Sequence, residues 1–539
     1  MRNSKQKIIS SKLLNRTGVV DIGSNTVRLV VLEGPARSPR YFYNEKSSCG
    51  LGIGLRQTGQ LNPKGVKKAT KALRRFKAIT REMNLENIYF IATAAVRDAT
   101  DGAQFVKRLE EEFNIKIKVV SGKEEGILAA SGVLMSWPDA NGIVCDIGGS
   151  SLELANLKRG KIKYSQSFEL GPLALDDFQK PGKKNIIGEK LSKMNESFPD
   201  NVRDFYLVGG CWRAMALIHM NRCQYPLKVL QGYKITVKAL HETLDFISST
   251  DVSVMTKITS SSPERLKLLS NASKVLRALI DKFQPKFMLF SGYGIREGLL
   301  YQLFSSEIRE MEPLLEACKY LEVNRSRFPG FGEVLFKWLL SIFPDASKEN
   351  KRLYLAACHL HDTIWQAHPD YRSEVCFEVV TGANLGGIDH EGRIFLAIAL
   401  MSRYKSSSLD KITNGTMNLL DKKLVKRAIA LGAAMRLGSM LSVTISSNLE
   451  KTEIYLKGDN IYLDLKNSKY WIFFASVLVS ITLPSFVLLL LFQEFFQCRS
   501  CRTIAHSEHC ASGASDPYLQ RQFDHSFHKP LKLCSCSHA

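Results

Sequence analysis

Two short runs lying 125 residues apart (146 − 21) set the tightest limit on the fold: Val19-Val20-Asp21-Ile22-Gly23-Ser24-Asn25-Thr26 and Val144-Cys145-Asp146-Ile147-Gly148-Gly149-Ser150-Ser151. Each reads as an apolar strand ending on an aspartate, a turn of small residues, and a second apolar stretch. Backbone N–H groups in such a turn can cradle phosphate, while the acid can hold a divalent ion or orient water. One turn of this kind is more often an ordinary β-turn than a site. Its repetition predicts a fold of two similar α/β halves.

The intervening residues support that plan. Residues 64–82, 104–113 and 124–133 have helical spacing, and 88–92 and 115–120 read as strands. Further on, Phe205-Tyr206-Leu207-Val208 runs into Gly209-Gly210 and a helix over about 211–220. Helices near 236–247 and 265–280 precede Phe287 to Phe290 and the turn Ser291-Gly292-Tyr293-Gly294. Strands alternating with helices predict an α/β class, and from about 306 helical periodicity dominates.

Of the 539 residues, 45% are apolar and 23% charged, which excludes a multi-pass channel and an acidic disordered chain. Lysine and arginine number 74 against 52 acids, leaving +22 and favouring an anionic partner: nucleic acid, a membrane surface, a nucleotide or a polymeric phosphate. Pro63 to Lys77 holds seven basic residues and no acid; it reads equally as a polyanion track and as a solvated helix face. Seven scattered cysteines and a polar, basic start predict a cytoplasmic body with free thiols.

Three further groups can carry chemistry. Gly209-Gly210 is a third candidate phosphate turn, with Arg213 near enough to add charge. Arg97 can contact an anion, although a lone arginine is more often a solvated charge. Glu124-Glu125 opens a helix, where the helix dipole alone accounts for acids; one becomes a candidate catalytic group if the fold carries it beside the two aspartate loops.

Taken in order, Asp21 to Thr26, Ser121 to Gly126, Asp146 to Glu153, Leu207 to Arg213 and Ser291 to Gly298 resemble the exopolyphosphatase and guanosine pentaphosphate phosphohydrolase (Ppx/GppA) family, within the acetate-kinase, sugar-kinase, Hsp70 and actin superfamily. The resemblance implies a duplicated ribonuclease-H-like, two-lobed α/β fold with halves at 17–137 and 138–305, then an all-helical HD-like domain at 306–465. It also implies that Glu125 is the base that activates water, and that Asp146 and Glu153, with Asp21, hold Mg²⁺. Gly23, Ser24, Asn25, Arg97, Gly148, Gly149, Ser150, Gly209 and Gly210, together with Asp21, are implied on the phosphate side. Ser150 departs from the family's third glycine, which reduces backbone freedom but leaves an N–H to donate.

The implied reaction is hydrolysis of the terminal phosphoanhydride of inorganic polyphosphate. The alternatives are removal of the 5′ phosphate of guanosine pentaphosphate, and a regulatory protein that binds polyphosphate or nucleotide without turnover. A homodimer is a further family expectation, and no specific nucleic-acid partner is implied. His359, His361-Asp362 and His390 raise a second metal centre of the HD type. No histidine occurs from 242 to 358 to complete it, so a structural, dimerising or substrate-channel role is expected there instead.

Tyr470 to Phe492 is an uncharged apolar run except for Pro484 and a few hydroxyl residues, long enough to form a single membrane anchor or contact. Residues 493–539 are an anomalous Cys/His/Ser-rich tail, with Cys498, Cys501, Cys510, Cys534 and Cys536 in irregular spacing. A divergent extension or a changed reading frame explains that switch more simply than a zinc site.

Overall fold

The alternation of strands and helices resolves into two sheets built to one plan. The computed structural model describes residues 9–176, 186–404, 414–442, 446–457 and 460–465, and the chain divides into two units, residues 1–449 and 450–539. In the larger unit the first sheet contains β1 (Leu13–Ile22), β2 (Thr26–Pro35), β3 (Arg40–Ser48), β4 (Asn87–Ala92) and β5 (Ile117–Val119). Its order is β3-β2-β1-β4-β5. β1 to β3 form an antiparallel meander, and β4 lies parallel to β1 and β5 to β4.

The second sheet contains β6 (Gly142–Ile147), β7 (Leu152–Lys158), β8 (Lys161–Phe168), β9 (Asp204–Val208), β10 (Tyr233–Thr236) and β11 (Phe287–Phe290). Read from β8 inward, its order β8-β7-β6-β9-β11 repeats the first sheet, with β10 added antiparallel at the far edge. The duplication extends to single hydrogen bonds. Gly23 N–H donates to Thr26 O at 2.9 Å, and Gly148 N–H donates to Ser151 O at 3.0 Å, closing the same turn in each half. The two-lobed α/β class expected from the repeated runs is the observed one.

β1 and β6 are central strands, which explains their unbroken apolar runs: Val19, Val20, Ile143, Val144 and Cys145 are all buried. The helices Pro63–Glu82 and Gly102–Phe113 bring Leu73, Phe76, Phe105 and Leu109 into the first core. The helices Gly210–Arg222 and Leu269–Phe283 bring Trp212, Leu276 and Phe283 into the second.

Two helices cross closely enough to exclude side chains. Gly122–Ser136 packs on Ile295–Leu303. A Cβ on Gly298 would lie 1.8 Å from Leu128 O, and one on Gly132 2.4 Å from Gly294 O. Glu125 stands near the start of one helix and Arg296 near the start of the other.

Helices continue from Pro313–Arg325 to Ser446–Leu449, around the buried helix His390–Tyr404. The helical region expected to reach 465 ends earlier. β12 (Thr452–Lys457) pairs antiparallel with β13 (Asn460–Leu465) in the second unit. Thr452 and Ile454 are buried while Glu453 and Tyr455 are exposed, a period of two that suits a strand rather than a helix. The apolar run 470–492 and the tail 493–539 lie outside the described residues. Among the described residues no helix is long and apolar enough to cross a membrane. The seven cysteines from Cys49 to Cys376 are unpaired thiols.

Candidate active site

Three glycine turns and one helix start meet in a single cavity of about 360 Å³. Asp21, Gly23, Ser24 and Asn25 line it from the first half, Asp146, Gly148, Gly149, Gly209 and Gly210 from the second, and Glu125 from the helix between them. The third turn requires glycine. Gly209 has φ +114, and a Cβ there would lie 2.7 Å from Ile147 O and 2.9 Å from Asp146 Oδ1.

The two adjacent glutamates have separate tasks. Glu124 completes a capping box: its Oε2 accepts from Ser121 N–H at 2.9 Å, and Ser121 Oγ accepts from Glu124 N–H at 3.3 Å. Glu125, one position on, points inward and is 6% exposed. Burial, followed by the charge of Asp146, pushes its pKa up to about 8 against the opposing pull of Arg97. Asp146 rises to about 6, through burial and the charge of Asp21 against Arg213 and Arg296. Asp21 is also raised, by burial first, with Arg296 and Arg28 opposing.

Opposite these carboxylates stands a group of cations. Arg296 Nε lies 4.0 Å from Asp21 Oδ2. Arg28, Arg213, Arg265 and Lys46 line the same cavity. After burial, neighbouring cations depress three of them: Arg28 falls to about 10 with Arg296 and Arg213 beside it, Arg213 falls with Arg296 beside it, and Lys46 falls with Arg265, Arg28 and Arg213 as neighbours. Arg28, Lys46 and Arg265 were not among the residues singled out from sequence. A signal existed for Arg28, a charge between Val27 and Leu29 in an apolar strand, but its place opposite Asp21 depends on the β1–β2 register. Lys46 and Arg265 are joined to the site only by tertiary structure. The basic run Lys64 to Lys77 does not line this cavity; Arg74 pairs with Glu112 and Arg75 with Glu45, and Lys64, Lys67, Lys68 and Lys71 are exposed.

Three expected site residues stand elsewhere. Arg97 donates to Glu125 Oε2 and to Val120 O, each at 3.2 Å, and to Asp98 Oδ1 at 2.9 Å. With Ser150 it lines a neighbouring cavity rather than the first. Glu153 lines neither; it is 1% exposed, and its Oε1 accepts from Ser167 Oγ at 2.8 Å. Burial and the charges of Glu125 and Asp146 push its pKa well up, so it lies behind the acids that face the cavity.

Among the described residues no three His, Cys, Asp or Glu side chains converge to hold a metal ion. Asp21 and Asp146 alone fit Mg²⁺, a hard cation that binds one or two carboxylates and fills its shell with water and substrate phosphate. Glu153, sealed beneath the surface, does not fit as a direct ligand. In the helical region His361 and Asp362 do not form a metal centre either. Asp362 accepts from Arg327 Nη2 at 2.6 Å and Nε at 3.0 Å. His359 Nδ1 pairs with Glu322 Oε2 at 2.5 Å, and His390 Nδ1 with Tyr225 Oη at 2.9 Å.

Comparison with known proteins bears on the family and the fold. The model of the Ppx/GppA phosphatase family matches residues 30–307, and that of the exopolyphosphatase C-terminal family matches 314–483. Retrograde regulation protein 2 of Saccharomyces cerevisiae is 26% identical over 442 residues, covering 72% of this chain and 73% of the yeast protein. The guanosine-5′-triphosphate,3′-diphosphate pyrophosphatase of Aeromonas salmonicida is 24% identical over 296 residues, 53% of this chain, and the match spans only 59% of that protein's length. An exopolyphosphatase structure from Cytophaga hutchinsonii superposes with a TM-score of 0.50 at 23% identity, covering 54% of this chain and 97% of that one.

Proposed function

Because the chain belongs to the Ppx/GppA phosphatase family, we propose that it hydrolyses the terminal phosphoanhydride of inorganic polyphosphate and releases orthophosphate. The observation that carries this reading is the charge of the cavity: a buried carboxylate raised to about 8, and five cations, Arg28, Lys46, Arg213, Arg265 and Arg296, in the same walls. A chain of repeated negative charges fits such a lining, because several phosphates can each meet a cation.

Glu125 takes the proton of the attacking water; its raised pKa makes it a better base than an exposed glutamate. The N–H groups of the turns at Gly23, Gly148 and Gly209 position the terminal phosphoryl group, and Arg296 and Arg213 offset its charge. Mg²⁺ held through Asp21 and Asp146 would neutralise charge developing on the phosphoryl oxygens. Glu153, buried beneath them with its pKa pushed well up by burial and by the charges of Glu125 and Asp146, holds its proton and stays out of the proton transfer. Pairing of two copies belongs to the same reading, and sedimentation of the full chain tests it.

Two other readings have specific support. Relatives named for guanosine pentaphosphate chemistry support a nucleotide substrate, and a match over 442 residues is to a protein named for regulation. The deciding experiment is phosphate release by the full chain with Mg²⁺, comparing long polyphosphate with guanosine pentaphosphate at matched terminal-phosphate concentration, and repeating each with chelator. Faster polymer hydrolysis supports the exopolyphosphatase. Faster pentaphosphate conversion selects the nucleotide enzyme, and tight binding without release from either selects a regulatory protein.

A further inference from the structure

Behind the Arg97–Glu125 pair lies a second cavity of about 560 Å³, larger than the first, with Arg56, Arg97, Lys123, Ser150, Ser151 and Ser167 in its walls. The turn Gly148–Ser151 divides the two: Gly149 faces the first, Ser150 the second, and Ser151 both. Glu125 faces the first cavity and is held by Arg97, which faces the second. We infer that this second cavity is an orthophosphate site, through which the attacking water enters and the released phosphate leaves while the shortened chain still fills the first cavity. The inference rests on the hydrolytic reading above.

The charges give the first cavity a direction. Arg97 and Asp146 act on Glu125, Arg296 and Arg28 act on Asp21, and Arg28, Arg213 and Arg265 act on Lys46, which is exposed. Glu125 is buried, Arg28, Arg213 and Arg265 are half-buried and Lys46 is exposed, so the cavity opens to solvent at its cationic side. A phosphate chain bound along it has its terminal phosphoryl at the acid end and its remainder toward Lys46. In-line displacement places the water opposite the leaving oxygen, which is the side of Glu125 and Arg97. The water oxygen bonds to the terminal phosphorus as its proton passes to Glu125. The bridging P–O bond breaks, and its electron pair remains on the shortened chain. Orthophosphate is then left on the Arg97 side with the chain across the other exit. Lys123 offers it a cationic partner there, and the N-terminal turn at Gly122 adds backbone N–H groups; Arg97 and Arg56 line the same walls paired with Asp98 and Glu169, so an anion bound there shares these arginines with the two carboxylates.

The test uses two full-length variants of the outer wall, Gln57→Trp, which narrows the cavity, and Lys123→Glu, which reverses its charge; both positions are exposed. Quenched-flow phosphate formation from polyphosphate is compared with free phosphate seen by a stopped-flow sensor. The expected result is a chemical step within about twofold of the parent, a free-phosphate signal slowed about fivefold or more, and a burst of enzyme-held phosphate. Chemistry and release slowed together, or neither slowed, overturns the inference. A turnover-independent measurement accompanies it: binding of inorganic phosphate to the Glu125→Gln chain preloaded with polyphosphate. Retained phosphate binding that Lys123→Glu weakens supports the site, and no phosphate bound to the preloaded chain overturns it. A parent that releases phosphate from neither substrate overturns the hydrolytic reading instead, and the phosphate-binding result still decides whether the second site exists.

Discussion

Asp146 faces Glu153 across the β6–β7 pair in the same register in which Asp21 faces Arg28 across β1–β2. The two halves therefore place different groups at one repeated position: an arginine that opposes the rise in the pKa of Asp21, and a glutamate whose own proton affinity is raised by burial and by the charges of Glu125 and Asp146. Like charges directly opposite on a sheet are destabilising. Asp146, the member of the pair that faces the cavity, raises the pKa of Glu125 and makes that glutamate a stronger base, an asymmetry that the duplicated backbone alone lacks.

Glu125→Gln removes the base while keeping the side-chain size. Turnover is expected to fall by about 10² to 10⁴, with polyphosphate affinity changed little because the cations remain. Phosphate release and equilibrium binding, measured side by side, check both halves; unchanged turnover removes Glu125 from the mechanism.

The base works deprotonated, so kcat/KM should rise with pH and reach half its plateau near the pKa of Glu125, about 8 without a bound cation. A bound divalent ion favours the carboxylate and moves this limb to lower pH. Arg97 also favours the carboxylate, so Arg97→Ala should move the limb to higher pH. A pH profile of parent and variant, with the Mg²⁺ concentration fixed, reads both shifts.

Lys46→Glu combined with Arg265→Glu reverses charge at the mouth, away from the reacting end. KM for long polyphosphate should rise by about tenfold and lose much of its salt dependence, because the long-range attraction is gone, while kcat changes little. Steady-state kinetics at two ionic strengths measures this; a fall in kcat without a change in KM contradicts the proposed direction of the chain.

Gly298→Ala places a Cβ where Leu128 O leaves 1.8 Å. Overpacking of this kind costs about 1–3 kcal/mol or more, so thermal unfolding should begin at a lower temperature. Activity should fall with it, since the two crossing helices carry Glu125 and Arg296. A Tm equal to the parent's would mean that the helices separate at no cost.

The alternation of apolar runs with Asp21 and Asp146 was enough to determine the α/β class, the duplication and the three glycine turns, because strand ends and tight turns are local properties set by neighbouring residues. Glu125 was legible as well, but its division of labour with Glu124 needed the cap geometry at Ser121. The hairpin Thr452–Lys457 with Asn460–Leu465 is not legible in the sequence, because two short strands after a long helical stretch offer few residues in which a period of two can show. Arg213 was legible beside the Gly209-Gly210 turn, but the gathering of Arg28, Lys46, Arg265 and Arg296 around it, the burial of Glu153 and the position of Arg97 behind Glu125 were decided by tertiary structure alone. These depend on strand register and on which distant surfaces desolvate one another, and long-range burial and charge have no period along a chain.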